Sequence, residues 1–598
     1  MKLVYSLTKR AQAHARVACA IAQQFMTVGC ALLLFAPIVP AHAQLLWVDG
    51  APLLGPCSSF DVSRREYQQR LLANRHSDNR FFDFQEMVIE TIEFERIDVF
   101  DESNPDENNA LYKLVNSLNM RTREATLRPQ LQFSEGDILD PAAVAEAERN
   151  LRARSYLSDA YIMPVAVCAN KVHLVVVTKD AWTTQPIVSG SREGGETKSR
   201  IGLVEGNFLG SGSEISVVLT KDDQRSSVAY RFEKDYILGQ PLSLGFGFSD
   251  NSDGYARSFR FAKPFYTDAT VSSFEFSIDR NRARVTTEQN EVKVASYDVE
   301  SHEQTVYAAF QQRLDAGSVS RIYAGITQRH EGYENFSGTA ALSPGQLDDL
   351  SFPWLALEHQ STDYVVMKNI NYIESVEDLR IGAYWLASLG YSPKKTNHRA
   401  AIVGSGSYKQ LFSLPHALFS VASSVDVIRY QENDRVLDDQ NTTYYSAKLT
   451  ADYRWLLDDR QRLVAIGSYR QSRVAGIHDA LSLGGAELVR GYPADYVLGN
   501  KAYGGSFEYR YHTDWHLLNI VRVGWVGYVD VAVLHNDHFA IENGGYDGEL
   551  LSNVGVGLRI MSSKTHVSNI VHIDFAAPTG YKKDAGNYQI LLRAEQRF

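Results

Sequence analysis

The chain runs to 598 residues, is 44% hydrophobic and 11% aromatic, with 32 Tyr and 27 Phe, and carries a formal net charge of −11. Only one stretch, near the N-terminus, is apolar enough to resemble a membrane helix; this excludes a helical membrane protein but not a transmembrane β-barrel, whose alternating strands give a weak hydropathy signal. The acidic balance and the lack of a basic run interleaved with aromatics exclude a nucleic-acid partner.

Lys2, Lys9, Arg10 and Arg16 precede an apolar run from Phe25 to Val39, and Ala41-His42-Ala43 supplies small residues at −3 and −1 of a cleavage site. Residues 1–43 are therefore expected to be a signal peptide, leaving Gln44 as the mature N-terminus. The run is shorter than the roughly 20 residues a membrane span requires. Cleavage removes Cys19 and Cys30 and leaves Cys57 and Cys168 in an oxidising compartment, where they either pair as a disulfide or remain buried thiols. Residues 44–88 read as a polar, irregular periplasmic segment with one short helix around Val62 to Leu72.

From Ile89 the pattern becomes that of a small α+β domain, residues 89–183. Ile92 and Phe94 alternate with Glu93 and Glu95 as in a half-buried strand. Leu111, Leu114, Val115 and Leu118 then fall on one face of a helix. After the loop Phe133-Ser134-Glu135-Gly136-Asp137, Asp140-Pro141 predicts an N-cap with proline in the first turn, and Val144, Ala147 and Leu151 form the buried stripe of a second helix. Two strands, about Tyr161 to Cys168 and Val172 to Val177, close the domain before Asp180-Ala181-Trp182.

Residues 184–198 read as a linker, and 199–598 as strand after strand. Amphipathic segments include Ser213–Leu219, Arg225–Phe232, Ser258–Lys263, Asp378–Gly390, Tyr444–Leu456 and Arg462–Arg470. About nineteen strand candidates can be counted, and the hydrophilic stretches Arg282–Glu291 and Glu331–Leu350 read as surface loops. Phe507, Tyr509 and Tyr511 share one face of a strand, opposite Ser506, Glu508 and Arg510. In the last segment Ile590, Leu592, Ala594, Gln596 and Phe598 oppose Leu591, Arg593, Glu595 and Arg597. A charged face opposite a mostly apolar one is what lipid outside and water inside demand.

Between two of these strands lies Leu483-Gly484-Gly485-Ala486-Glu487-Leu488-Val489-Arg490-Gly491-Tyr492. An arginine folded into a barrel needs carboxylates, because an unpaired buried charge is costly. Parity turns Glu508 and Asp530 inward, with Val529, Val531 and Val533 outward, so for a loop that folds into the lumen, as the resemblance given below implies, Arg490–Asp530 is the expected principal pair and Glu508 the assistant. The sequence holds no Gly-x-Ser-x-Gly elbow, Walker loop, His-Glu-x-x-His or paired Cys-x-x-Cys, so no catalytic, metal or cofactor site is expected.

These strings carry a resemblance. The β-α-α-β-β order, with "FSEGDILD", "AERNLRARSYL" and "VVVTKDAW", resembles a POTRA (polypeptide-transport-associated) domain. "LGG…VRGY" is similar to the signature loop of the outer-membrane insertase and two-partner-secretion superfamily. Asn207-Phe208-Leu209-Gly210-Ser211-Gly212 resembles the N-x-L-G-x-G that follows the first strand there, a turn expected to weaken edge pairing at a lateral seam. Around Asp530 that superfamily has aromatic-x-Asp-x-Gly, where this chain has Ala532. The terminal Phe598 resembles the assembly signal read by the barrel-assembly machinery.

The resemblance implies a transmembrane antiparallel β-barrel of sixteen strands, preceded by one small α+β POTRA domain in the periplasm, in the outer membrane of a Gram-negative bacterium. It implies a monomeric barrel in contact with outer-membrane lipid and inserted by the assembly machinery. It further implies translocation or insertion of unfolded polypeptide, with the POTRA domain capturing substrate and the loop of Gly484, Gly485, Val489, Arg490, Gly491 and Tyr492 gating the lumen. The alternative is a passive outer-membrane pore or surface antigen.

Overall fold

The computed structural model describes residue 84 and residues 86–595, apart from 103–104, 169, 194–195, 223–224, 290–291, 316, 339–348, 396–398, 432–442, 475–479, 486–487, 538–545 and 566–569. The expected signal peptide, most of 44–88, Cys57 and Phe598 lie outside the described residues.

The first unit follows the β-α-α-β-β order with one additional short α-helix. Strand β1 (Val88–Ile97) leads to helix α1 (Ala110–Leu118), the short α2 (Glu124–Leu127) and α3 (Pro141–Arg152), then to β2 (Leu157–Cys168) and β3 (Lys171–Asp180). The sheet order is β1-β3-β2, with β1 parallel and β2 antiparallel to β3. Helix α3 starts where the sequence places it: the Asp140 side chain accepts from the Ala142 N–H, Pro141 fills the first turn, and Val144, Ala147 and Leu151 are buried. Those three pack with Ile89, Ile92, Leu174 and Val176.

Helix α1 departs from expectation. Leu111, Leu114 and Leu118 are 54%, 53% and 64% exposed, and Tyr112 and Val115 are the buried pair. The reason is tertiary: Tyr112 stacks on Phe100 with centroids 4.2 Å apart, and Asn109 caps the helix through the Tyr112 N–H, which turns the leucine stripe away from the core.

Beyond this unit, twenty strands among the described residues form one antiparallel barrel sheet, from Thr184–Glu193 to Gln589–Glu595, and these two are neighbours in its order. The resemblance implied sixteen. Counting by face alternation misses polar strands, because a backbone ladder pairs N–H with C=O whatever the side chains are. Thus the expected linker 184–198 holds the strand Thr184–Glu193 and the start of Glu196–Phe208. Likewise residues 282–289 of one expected loop belong to the strand Ser272–Gln289, and 331–338 of the other to Ser318–Gly338; these strands flank the 24-residue Val292–Asp315. Lipid-type alternation holds where it is legible: Phe507 and Tyr509 are exposed while Glu508 and Arg510 are buried, and Ile590 and Leu592 are exposed while Leu591 is buried.

The segment read as one strand, Asp378–Gly390, is divided. Val376–Arg380 pairs with Tyr364–Lys368 in a hairpin outside the barrel sheet, and Gly382–Ser392 belongs to the barrel. Gly382, at φ +90°, makes the corner, in a backbone region that favours glycine.

The α+β unit sits against the turns at one end of the barrel. Tyr112 donates to Leu518 O at 2.6 Å, Trp182 N–H to Lys564 O at 2.6 Å, and Arg154 Nη1 to Asp235 at 3.1 Å. Burial alone would raise the Glu107 pKa, but the Lys564 ammonium at 2.5 Å outweighs it and holds the carboxyl below its ordinary value. The string Asn207-Phe208-Leu209-Gly210-Ser211-Gly212 follows the second barrel strand, not the first, and its glycines serve this docking. Gly210 O accepts from the Arg123 N–H at 3.0 Å, and Asn207 Nδ2 donates to Met120 O at 2.9 Å. A Cβ on Gly210 would lie 2.4 Å from Arg121 O.

Candidate functional site

Between the strands Gln461–Arg473 and Lys501–Leu517 the chain turns onto the inner face of the sheet. A two-strand ladder, Leu481–Leu483 with Val497–Gly499, forms the neck of this excursion. Gly484 at φ +120° and Gly485 at φ +60° reverse the backbone, and the Gly485 N–H closes the loop on Tyr492 O at 2.9 Å. Both positions need glycine. Val489 and Tyr492 are fully buried with Leu483, Val497 and Leu551, and the Tyr492 hydroxyl bridges the backbone N–H and C=O of Ser552, each at 3.1 Å.

This neck presents Arg490 to the wall. Its Nε donates to Asp530 Oδ2 at 2.9 Å, and its Nη2 reaches Asp530 Oδ1 at 2.6 Å, Glu508 Oε1 at 2.8 Å and Ser506 Oγ at 2.8 Å. The guanidinium lies 3.4 Å from the centroid of the Tyr528 ring. Arg490, Glu508 and Asp530 are 8%, 6% and 0% exposed. Such burial is tolerable only because the charges match: Arg510 holds the second oxygen of Glu508 through Nε at 2.8 Å, so two arginines face two carboxylates. Asn553 Nδ2 adds a bond to Asp530 Oδ2 at 2.9 Å. Further along the wall, Asp574 accepts from Arg559 at 2.9 Å and from Arg593 at 3.2 Å.

All six residues expected in the loop lie in this excursion, and the structure brings Arg490, Asp530 and Glu508 together. Ser506, Tyr528, Asn553 and Arg510 were missed. Parity holds the signal for three of them, since Ser506 and Arg510 flank Glu508 at two-residue spacing and Tyr528 stands two before Asp530. Asn553 required the register, in which it faces Asp530 across the ladder. Ala532, where the resemblance has glycine, tucks its methyl among Leu483, Val489 and Leu534.

Gly491 has a separate constraint, because a Cβ there would lie 2.5 Å from Asn553 Cβ. Gly491→Ala is expected to lift the loop and cost about 1–3 kcal/mol. The check is a lower temperature of conversion from the compact to the unfolded gel band; an unchanged midpoint would show the loop seat to be slack.

The end of the barrel that faces the α+β unit is crossed by the hairpin Tyr364–Lys368 and Val376–Arg380. Asn369 Nδ2 donates to Asp459 O at 2.9 Å and Arg454 Nη1 to Asn371 Oδ1 at 2.8 Å, while Ile373 packs on Met561 and Ile570. On the side of the α+β unit, Arg152 grips Asp378 with two bonds of 2.8 Å, and the Arg149 guanidinium lies 4.4 Å from the Tyr364 ring centroid. No sequence signal pointed to this hairpin. Among the described residues no group of three His, Cys, Asp or Glu side chains is placed to hold a metal ion.

The model of the Omp85 superfamily domain matches residues 207–598. No curated protein matches the chain. Among solved structures, CdiB from Escherichia coli is 11% identical, with 97% of this chain and 98% of that one covered and a TM-score of 0.45. CdiB from Acinetobacter baumannii is 13% identical over 96% and 97%, with a TM-score of 0.41. BamA from Haemophilus ducreyi, lacking POTRA domains 1–3, is 13% identical over 85% and 84%, with a TM-score of 0.37.

Proposed function

Because the chain belongs to the Omp85 superfamily, we propose that it is an outer-membrane barrel that moves unfolded polypeptide across or into the membrane, with Arg490 holding the loop that obstructs its lumen. The observation that carries this reading is the charge-matched seat of Arg490 on Asp530 and Glu508. An inward loop fastened by a buried ion network suits a channel that must close behind a polypeptide.

In this reading the α+β unit is a single POTRA domain in the periplasm. Its sheet has two outer strands. The edge of β1 is covered by its own loop: Ile89 N–H donates to Asp137 O at 2.9 Å and Gly136 N–H to Ile89 O at 2.7 Å. Strand β2 is covered near its start, where Ile162 N–H donates to Glu148 Oε1 at 2.6 Å and Arg152 Nη1 to Ala160 O at 3.3 Å, so an extended segment adds along the rest of this strand, with backbone bonds giving affinity.

Two measurements test it together. A photo-crosslinker at Ser158, an exposed residue of β2, is expected to capture polypeptide in cells, and depletion of the protein is expected to lower the level of one or more surface or outer-membrane proteins. Unaltered levels of all of them, with nothing captured, would replace this reading by a passive pore or surface antigen.

A further inference from the structure

On the lipid-facing side of four neighbouring strands, hydrogen-bond register aligns the outward residues in rows. Phe261, Phe276, Val306 and Ile326 form one row, and Phe259, Ile278, Gln304 and Gln328 the next, further from the α+β unit. The third row is Arg257, Arg280, His302 and His330. The surface thus changes from aromatic and aliphatic to basic within two residues along each strand, at the border where a bilayer changes from hydrocarbon to headgroup.

Arg257 and Arg280 are direct cross-strand partners, and like charges in that relation destabilise a sheet. Other arginines of these two strands are relieved by carboxylates: Arg260 by Glu275 at 2.8 Å, Arg284 by Asp298 at 2.8 Å and Arg282 by Glu334 at 3.6 Å. Among the described residues Arg257 and Arg280 have no such partner. Arg257 is instead propped by the rings of Tyr255 at 4.7 Å and Phe248 at 5.9 Å, and Arg280 donates to His302 Nε2 at 3.2 Å. His330 pairs with Asp349, and Glu300 stands one row further out, opposite Arg282. Two exposed, adjacent, unneutralised guanidinium groups above an apolar band are a fork for a phosphate held at the membrane surface.

We infer that Arg257 and Arg280, flanked by His302 and His330, bind the phosphate of a phosphorylated glycolipid headgroup in the outer leaflet. This rests on the placement of the α+β unit in the periplasm, since the row lies toward the opposite end of the barrel. The occupant follows from charge complementarity and from the aromatic border just below, which seats acyl chains while the fork takes the headgroup.

The test is native mass spectrometry of the whole protein in detergent with three lipids: a diphosphorylated lipid A, the same lipid without phosphates, and phosphatidylglycerol. The protein is expected to retain the diphosphorylated lipid in preference to the other two, and the double variant Arg257→Ser/Arg280→Ser to retain at least about tenfold less, as loss of charge-assisted bonds requires. Arg282→Ser/Arg284→Ser, which removes arginines already neutralised, is expected to match the unaltered protein. Fast migration on unheated gels establishes that each variant is folded. Equal retention by the Arg257/Arg280 variant, indifference to phosphate, or equal retention of phosphatidylglycerol would each overturn the site. Labelling of Ser252→Cys in the neighbouring turn by an impermeant maleimide on intact cells separates the two premises. Labelling without phosphate-dependent binding defeats the site alone, and absence of labelling until cells are opened defeats the orientation.

Discussion

Arg490→Ala is expected to cost the barrel about 3–5 kcal/mol, the usual consequence of removing one member of a buried ion network. The loss falls mainly on Asp530. Glu508 keeps Arg510, but Asp530 is left with Ser506 and Asn553, which supply hydrogen bonds and no charge. The loop then has its glycine turn and the Tyr492 bridge to Ser552 but no anchor at its tip, so single-channel conductance in planar bilayers is expected to rise and to fluctuate. Arg490→Lys should recover only part of the effect. An ammonium cannot bond both carboxylates in one plane while lying flat on Tyr528. Asp530→Asn should resemble Arg490→Ala in conductance yet cost less stability, because it leaves Arg490 on Glu508 instead of an uncompensated carboxylate. Conductance and thermal conversion unchanged in Arg490→Ala would show that the seat holds nothing of consequence.

The carboxylates around Arg490 were legible in the sequence because a strand has a period of two, whereas the inward turn of Arg490 itself was legible only through the resemblance of its loop. Once Phe507 and Tyr509 are assigned to lipid, Glu508 must point inward, and the same step places Asp530 opposite Val529 and Val531. The cap of α3 was legible for a local reason, since Asp140 and Pro141 act within one turn. What failed was decided between elements. The leucines of α1 obey helical period, but Phe100 and Trp182 draw Tyr112 and Val115 inward instead. The hairpin and the barrel strand at 376–392 share one period, so only the corner at Gly382 separates them. The polar strands at 184–193 and 282–289 are held by backbone ladders that leave no trace in hydropathy, whereas the number sixteen came from the resemblance and not from the count of about nineteen segments.

Arg152→Asp is the second substitution expected to have a large effect, and it acts at the end of the barrel that faces the α+β unit. The hairpin is tied on two sides. On the barrel side its loop is ordered from within, with Glu377 accepting from the Ile370 and Asn371 N–H groups at 2.8 and 2.7 Å, and is fastened to the wall by Arg454 and Asp459. On the side of the α+β unit the charged tie is Arg152 to Asp378, with Glu148 3.7 Å from Arg152. Reversal at 152 therefore sets an aspartate against Asp378 and Glu148 at once, and both repulsions act in a partly buried site where screening is weak. The α+β unit keeps its docking through Lys564 and the Gly210 turn, so the expected result is a hairpin freed from α3 but still held to the wall. In planar bilayers this should appear as a higher open probability, and in cells as sensitivity to large antibiotics that the outer membrane normally excludes. Arg152→Asp with Asp378→Arg should restore closure, with a coupling of about 1–3 kcal/mol between the two positions. If the double reversal leaks as much as the single one, the contact is only a neighbourly one; if neither leaks, the mouth is closed by something other than this hairpin, and passage of a polypeptide would not require α3 to release it.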